Sequence, residues 1–153
     1  MSETGILFIE TRSAAQRGLL CQWAEHFYEN GQKVQILVDS RVAAQNLDQM
    51  LWTFSQASFV PHTVLAASSP QPVAEPVVIT IGETKLDGYP VLLCEGSAHL
   101  DFLRHFSQVV HFVLLDDVDR RQDSRLMWQA AKDQGFQLRH IPFAQNQPAT
   151  PPS

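Results

Sequence analysis

The chain has 153 residues, a length typical of one domain, and its 44% hydrophobic and 18% charged residues are typical of a globular protein. A formal net charge of −5 disfavours a surface built to grip nucleic acid, because that binding depends on lysines and arginines. Two isolated cysteines, Cys21 and Cys94, give no disulfide framework and no zinc quartet, so we expect a reducing, cytoplasmic compartment. We expect neither a signal peptide nor a membrane helix, because no long apolar run is present.

Strand and helix patterns alternate along the chain. Five short, mostly apolar segments predict strands, at residues 6–9, 34–38, 77–81, 91–94 and 109–115, and residues 136–143 are a predicted last strand. Four predicted helices begin near Ser13, Ser40, Ser97 and Asp117. Gly31 and Gly135 follow the first and last of them, where a left-handed cap favours glycine. A proline-rich stretch at 67–76 predicts a surface loop.

This alternation predicts an α/β fold with a mostly parallel sheet and helices on both faces. The strands at 77–81 and 91–94 could instead pair as an antiparallel hairpin around Asp87-Gly88, so a mixed sheet stays open. We predict one domain over residues 1–143. Residues 144–153, rich in proline and without core residues, predict a disordered tail.

The usual ligand-binding motifs of such folds are absent from the sequence. No G-x-G-x-x-G follows the first strand, where residues 10–15 read Glu-Thr-Arg-Ser-Ala-Ala, and no P-loop motif occurs. No G-x-S-x-G marks a nucleophile elbow. The prediction is therefore a Rossmann-like fold without a phosphate-binding loop, and with no cofactor.

Two candidate catalytic features deserve comparison with simpler roles. Cys94 ends a strand before a loop and helix, a placement that can lower a thiol pKa, but a buried structural cysteine is the simpler interpretation. Asp116 and Asp117 could bind a metal at a strand end, but helix capping is simpler. We therefore predict no catalytic residue and no metal, with a small enzyme using Cys94 or Asp116/Asp117 as the alternative.

Trp52 lies on the predicted polar face of the second helix. At about 100° per residue, Trp52 lies opposite a predicted core stripe and among polar residues. The core stripe is Leu47, Met50, Leu51 and Phe54. A tryptophan there is either covered by a neighbouring loop or anchors a partner. The apolar segment at 58–62 could lie beside it.

The fourth helix carries a basic stripe. Its predicted core face is Leu126, Met127, Ala130 and Ala131. The opposite stripe is Arg121, Arg125, Trp128 and Lys132, within about 60°. This is either a solvated face or a socket for an acidic peptide, an aromatic carboxylate or single-stranded nucleic acid. Since the patch is one helix wide on an acidic chain, we favour a peptide and expect direct nucleic-acid binding to be weak or absent.

These residues resemble those of a known family. From Leu51 to His62 the chain has Leu-Trp, six residues and then Phe-Val-Pro-His, and this segment resembles the chi subunit of bacterial DNA polymerase III holoenzyme. The similarity covers about residues 5–143. It continues at Phe106, Val109, Val110, Phe112, Val113, Asp117, Arg121, Arg125, Gly135 and Phe136.

The resemblance implies a non-catalytic replication subunit. In that family chi pairs 1:1 with the psi subunit, which ties it to the clamp loader, and binds the acidic C-terminal tail of single-stranded DNA-binding protein, ending Asp-Asp-Ile-Pro-Phe. The implied psi contacts are Trp52, Phe59, Val60 and Pro61. The implied tail contacts are Arg121, Arg125, Trp128, Gln129 and Lys132. Gln129 stands where the family can carry a lysine.

Overall fold

A computed structural model describes residues 3–53, 60–65 and 74–148. The strands are β1 (Gly5–Thr11), β2 (Val34–Val38), β3 (His62–Leu65), β4 (Val77–Ile81), β5 (Val91–Cys94), β6 (Gln108–Leu114) and β7 (Gln137–Ile141). The helices are α1 (Gln16–Glu29), α2 (Arg41–Thr53), α3 (Leu100–Leu103) and α4 (Val118–Asp133), with 3₁₀ turns at Ser13–Ala15 and Phe143–Gln145. Over these ranges, none of the helices combines the length and the apolar character needed to span a bilayer.

The strands form one parallel sheet in the order β3-β4-β2-β5-β6-β1-β7. This confirms the predicted α/β class. The hairpin alternative is wrong, because β4 and β5 lie on opposite sides of β2 and each pairs with it in parallel. The sequence prediction also missed β3, a four-residue edge strand too short to give a clear alternation.

Helices cover both faces of the sheet, as predicted. One core cluster joins α1 and α2 to Ile9 of β1, and the other joins α3 and α4 to Ile6 and Phe8 of the same strand. Successive strand residues point to opposite faces, so a single strand supplies both cores. This explains why the central strands are mostly apolar, with every residue of β2 and β5 buried, including Gln35.

The predicted helix ends are mostly confirmed. Gly31 and Gly135 have φ of 78° and 88° and follow α1 and α4. The Ser40 hydroxyl accepts the Ala43 N–H at 3.1 Å and caps α2. The Ser13 cap is wrong, since α1 begins after a 3₁₀ turn and Ser13 binds elsewhere. The helix predicted from Ser97 is also shorter, with only Leu100–Leu103 helical.

The segment after β7 turns back onto α1 and β1. The Trp23 indole N–H donates to the Asn146 carbonyl at 2.8 Å, and the Asn146 amide donates to the Glu10 carbonyl at 3.1 Å. The Phe143 N–H donates to the Glu10 carboxylate at 3.0 Å. These contacts join residues 143–148 to the domain, whereas the sequence predicts a disordered tail from 144. Residues 149–153 of that prediction lie outside the described residues.

Candidate protein-binding surfaces

The protein's own carboxylates occupy the loops at the carboxyl ends of the strands, where open α/β sheets bind ligands. Asp39, after β2, accepts the Ser97 N–H that follows β5, at 3.2 Å. Gly96 lies so close that a Cβ there would overlap the Asp39 carboxylate. Asp116, after β6, accepts both the N–H and the hydroxyl of Ser13, after β1, and the Ser13 N–H lowers the pKa of this carboxyl. The Ser97 and Ser13 N–H groups are therefore already bound by carboxylates of the protein.

The catalytic alternatives find no support in the chemistry of their residues. Burial raises the pKa of both Cys94 and Cys21 to about 12, the opposite direction from an activated thiol. The Asp117 carboxylate accepts the Arg120 N–H at 3.0 Å, so it caps α4 as the simpler interpretation predicts. In the described ranges, no group of three histidine, cysteine or acidic side chains could hold a metal ion.

A small cavity of about 240 Å³ lies between β5, β6 and α4. His111 and Ser124 meet beside it, with Nε2 and Oγ 2.8 Å apart. Burial, with a smaller effect of the Arg120 charge, lowers the pKa of His111 to about 4. The imidazole is neutral at physiological pH and a weak base, so this pair joins α4 to β6 rather than activating a serine.

Trp52 lies on the last turn of α2 and is 53% exposed, which confirms its predicted outward position. Its ring centroid is 4.7 Å from that of His62, at the start of edge strand β3. His62 is itself buried and held by the Asp48 carboxylate at 3.1 Å and the Val60 carbonyl at 2.8 Å. A fixed imidazole therefore orients the indole at the sheet edge.

A groove runs along the same flank of α2. Its volume is about 830 Å³. It is lined by Arg41, Ala44, Gln45, Asn46, Asp48, Gln49, Val64 and Ile81. The helical spacing of residues 41, 45, 48 and 52 places Trp52 at the end of this groove. We call Trp52 and these lining residues the Trp52 surface. It combines an aromatic anchor, two apolar side chains of the sheet and a mostly polar helix flank, a composition typical of interfaces.

Two of the other three predicted psi contacts, Val60 and Pro61, lie within the described residues. Val60 is only 1% exposed and belongs to the core, so its side chain cannot present itself to a partner in this conformation. Pro61 is half-buried. Phe59 lies outside the described residues. The sequence did not predict the burial of Val60, which is set where the chain enters β3.

The orientation of α4 differs from the prediction. Leu126, expected in the core, is 60% exposed, and the buried positions are Ser124 and Ala131. Trp128, expected outward, is half-buried and packs edge-on against Phe8 with ring centroids 5.0 Å apart. The helix rolls so that its largest side chain covers the sheet, since an indole buries more apolar area than a leucine.

Three cations line the flank of α4 beside Trp128. Arg121, Arg125 and Lys132, which we call the basic flank, make no ion pair with any described residue. Gln129 donates to Asp133 at 3.0 Å. The predicted cations thus lie together on one flank of α4. Trp128, beside them, is partly buried and does not point outward as predicted.

A recess of mixed apolar and charged character adjoins the basic flank. It measures about 320 Å³ and is lined by Leu115, Val118, Asp119, Arg121, Gln122 and Arg125. Val118 is 84% exposed on the first turn of α4. Sequence reasoning missed Val118, although its spacing of three and seven residues from the two arginines was available. The recess can hold an apolar side chain next to two guanidinium groups.

Glu10 lies near the basic flank. Its carboxylate accepts from His140 at 2.9 Å and from the Phe143 N–H at 3.0 Å. Burial acts to raise the pKa of Glu10, but these hydrogen bonds and the charges of His140 and Arg121 outweigh it and lower the pKa. Sequence reasoning missed this pair, because only the parallel register brings β1 and β7 side by side.

Residues 3–139, nearly the whole described domain, match the family "DNA polymerase III chi subunit, HolC". The chain belongs to this family. The chi subunit of Haemophilus influenzae is 27% identical over 141 residues, covering 90% of this chain and 96% of that relative. The Escherichia coli chi subunit is 29% identical over 125 residues, covering 82% and 84%.

The fold also occurs outside the chi family. A solved structure of T4 UvsW superposes with a TM-score of 0.64 over 92% of this chain and 41% of the other, at 5% identity. Such a low identity shows a shared fold and nothing about activity. Membership of the chi family therefore rests on the family match over residues 3–139. It makes the chain a replication accessory subunit, as the resemblance implies.

Proposed function

We propose that this chi-family protein is a non-catalytic adaptor that joins the psi subunit at the Trp52 surface to the tail of single-stranded DNA-binding protein at the basic flank. Through psi it reaches the clamp loader. The observation that carries the proposal is the presence of two separate surfaces, one with an exposed aromatic anchor and one with three cations that make no ion pair among the described residues.

The basic flank suits an acidic peptide with an aromatic carboxyl terminus. A guanidinium can bind a carboxylate through two parallel hydrogen bonds, which favours Arg121 and Arg125 as partners of the aspartates or the terminal carboxylate. The recess at Val118 offers an apolar side chain a place beside them. Trp128 packs on Phe8, so it supplies a wall to the site but no open stacking platform for bases. This favours a peptide over single-stranded nucleic acid.

Tail binding is tested with a labelled peptide ending in Asp-Asp-Ile-Pro-Phe, titrated with the protein and followed by fluorescence anisotropy. We expect saturable, salt-sensitive binding that Arg125→Ala weakens about tenfold or more, roughly the 1.4 kcal/mol of one charged hydrogen bond. Arg41→Ala, an equal change of charge on the Trp52 surface, is the matched control and leaves binding unchanged. An equal loss in both variants would show that net charge, not the basic flank, binds the peptide.

Psi pairing is tested by calorimetry with purified psi. Trp52→Ala removes an exposed anchor, and we expect about 30-fold weaker binding, the loss typical of an interface hot spot of 2 kcal/mol. Arg125→Ala serves as its control and binds psi normally, because the basic flank lies on a different helix. Unchanged psi affinity in Trp52→Ala would remove the Trp52 surface from the proposal.

A further inference from the structure

Strand β7 ends the described sheet, and its outer edge has no strand paired to it. The Gln137 N–H donates to the Thr4 carbonyl at 3.1 Å, so the backbone of residues 137, 139 and 141 faces β1. Backbone groups alternate sides along a strand. The N–H and C=O groups of Leu138 and His140 therefore point away from the sheet, where they can pair with another extended chain.

The basic flank lies above this edge. Leu138 and His140 are in register with Ile6 and Phe8, the β1 residues on the α4 face. Trp128 packs on Phe8 and belongs to the same core cluster as Leu138. The spacing of Arg121, Arg125 and Lys132 puts them on the Trp128 side of α4. The influence of the Arg121 charge on Glu10, the partner of His140, agrees with this placement.

The charge at this edge selects an acidic chain. The three cations of the basic flank, and Arg139 on the strand itself, have no ion pair among the described residues. Of the nearby carboxylates, Glu10 is already engaged by His140 and Phe143, whereas Asp119 is exposed on the first turn of α4 beside Arg121 and Arg125. An extended acidic peptide would neutralise these cations and satisfy the outward backbone groups of β7 together.

We propose, resting on the tail-binding function above, that the acidic peptide binds as an added strand along the outer edge of β7, under the basic flank. The proline in Asp-Asp-Ile-Pro-Phe fixes the phase of this strand, because proline has no N–H and must occupy a position that faces away from β7. The isoleucine and phenylalanine N–H groups then face β7. The added strand runs antiparallel to β7, so that these two residues lie directly opposite outward-facing Leu138 and His140. Their side chains then share the α4 face, which places them against Trp128 and Leu138.

Backbone methylation of the peptide tests the pairing without altering the protein. One peptide carries an N-methyl group on the isoleucine, and its matched control carries it on the aspartate just before the isoleucine. We expect the first peptide to bind about fivefold or more weakly, the effect of one lost hydrogen bond of about 1 kcal/mol, and the control to bind like the unmodified peptide. Equal affinities of the two methylated peptides overturn strand addition.

A proline variant tests the same edge from the side of the protein. His140→Pro removes an outward N–H but no hydrogen bond to β1, a position that tolerates proline on an edge strand. His140→Ala is the matched control for the lost imidazole. We expect weaker peptide binding by His140→Pro than by His140→Ala. If circular dichroism shows that His140→Pro does not fold, the methylated peptides decide alone.

The outcomes separate the mode of binding from the function. If Arg125→Ala weakens binding but neither the methyl group nor the proline has any effect, the peptide binds the basic flank without β7, and strand addition is wrong. In that case Arg139 acts only as a charge that discourages edge-to-edge aggregation. If no peptide binds at all, both the tail-binding function and strand addition are overturned.

Discussion

Gly96 provides a direct test of the internal carboxylate at the end of the sheet. An alanine at 96 would bring its Cβ into the Asp39 carboxylate. The backbone of Gly96 is outside the left-handed region, so an alanine meets a steric obstacle and no backbone strain. The carboxylate can rotate away, but it then loses the Ser97 N–H, which lies 3.2 and 3.3 Å from its two oxygens.

The expected loss of stability in Gly96→Ala follows from the lost hydrogen bond and from the gain of replacing glycine. A hydrogen bond to a charged group contributes about 1.5–3 kcal/mol, and solvent exposure at this loop places the loss near the lower limit. Replacing glycine by alanine returns about 0.4–1 kcal/mol by restricting the unfolded chain. We therefore expect Gly96→Ala to lower the free energy of unfolding by about 1 kcal/mol.

Urea unfolding followed by tryptophan fluorescence measures this change, in a double-mutant cycle with Asp39→Ala. Without the carboxylate, Gly96→Ala should cost nothing or stabilise slightly, which gives a coupling free energy of about 1–2 kcal/mol. Gly18→Ala, in α1 with open space around it, is the control for glycine replacement and should stabilise by about 0.5–1 kcal/mol. The same loss with and without Asp39 would refute the steric reasoning.

Three further predictions concern stability and reactivity. Trp23→Phe removes the donor to the Asn146 carbonyl and should destabilise by about 1 kcal/mol in urea unfolding; no change would mean that this contact adds nothing. Cys21 and Cys94, with thiol pKa values of about 12, should resist a disulfide reagent at pH 8 until denaturant is added, and rapid labelling of the native protein would contradict their burial. Because the pKa of Glu10 is lowered, its carboxylate stabilises the fold above pH 4.5, its ordinary pKa, and this stabilisation is lost as the pH falls through the lowered pKa. Glu10→Gln should therefore lower the free energy of unfolding at pH 7 and have the same stability as the parent in acid. An equal loss of stability at both pH values would contradict this linkage.

The sequence by itself determined the class of fold and most of its elements. Mostly apolar segments such as 34–38 and 91–94 predict strands buried on both faces, and local signals such as Ser40 and Gly135 mark helix ends. Such features depend on neighbours a few residues apart, so periodicity and capping chemistry suffice. The outward position of Trp52 was also available from helical spacing, because the core stripe of α2 is wide and unambiguous.

Tertiary structure decided everything that depends on which elements become neighbours. The strand order excluded the hairpin, because β2 inserts between two strands that are consecutive in sequence. In α4, Trp128 packs on the sheet and Leu126 is exposed, the reverse of the prediction. The hydrophobic periodicity of this helix is weak, so packing against the Phe8 ring selects the face that it buries. The Glu10–His140 pair joins residues 130 positions apart through the register of β1 and β7, a separation that no local pattern encodes.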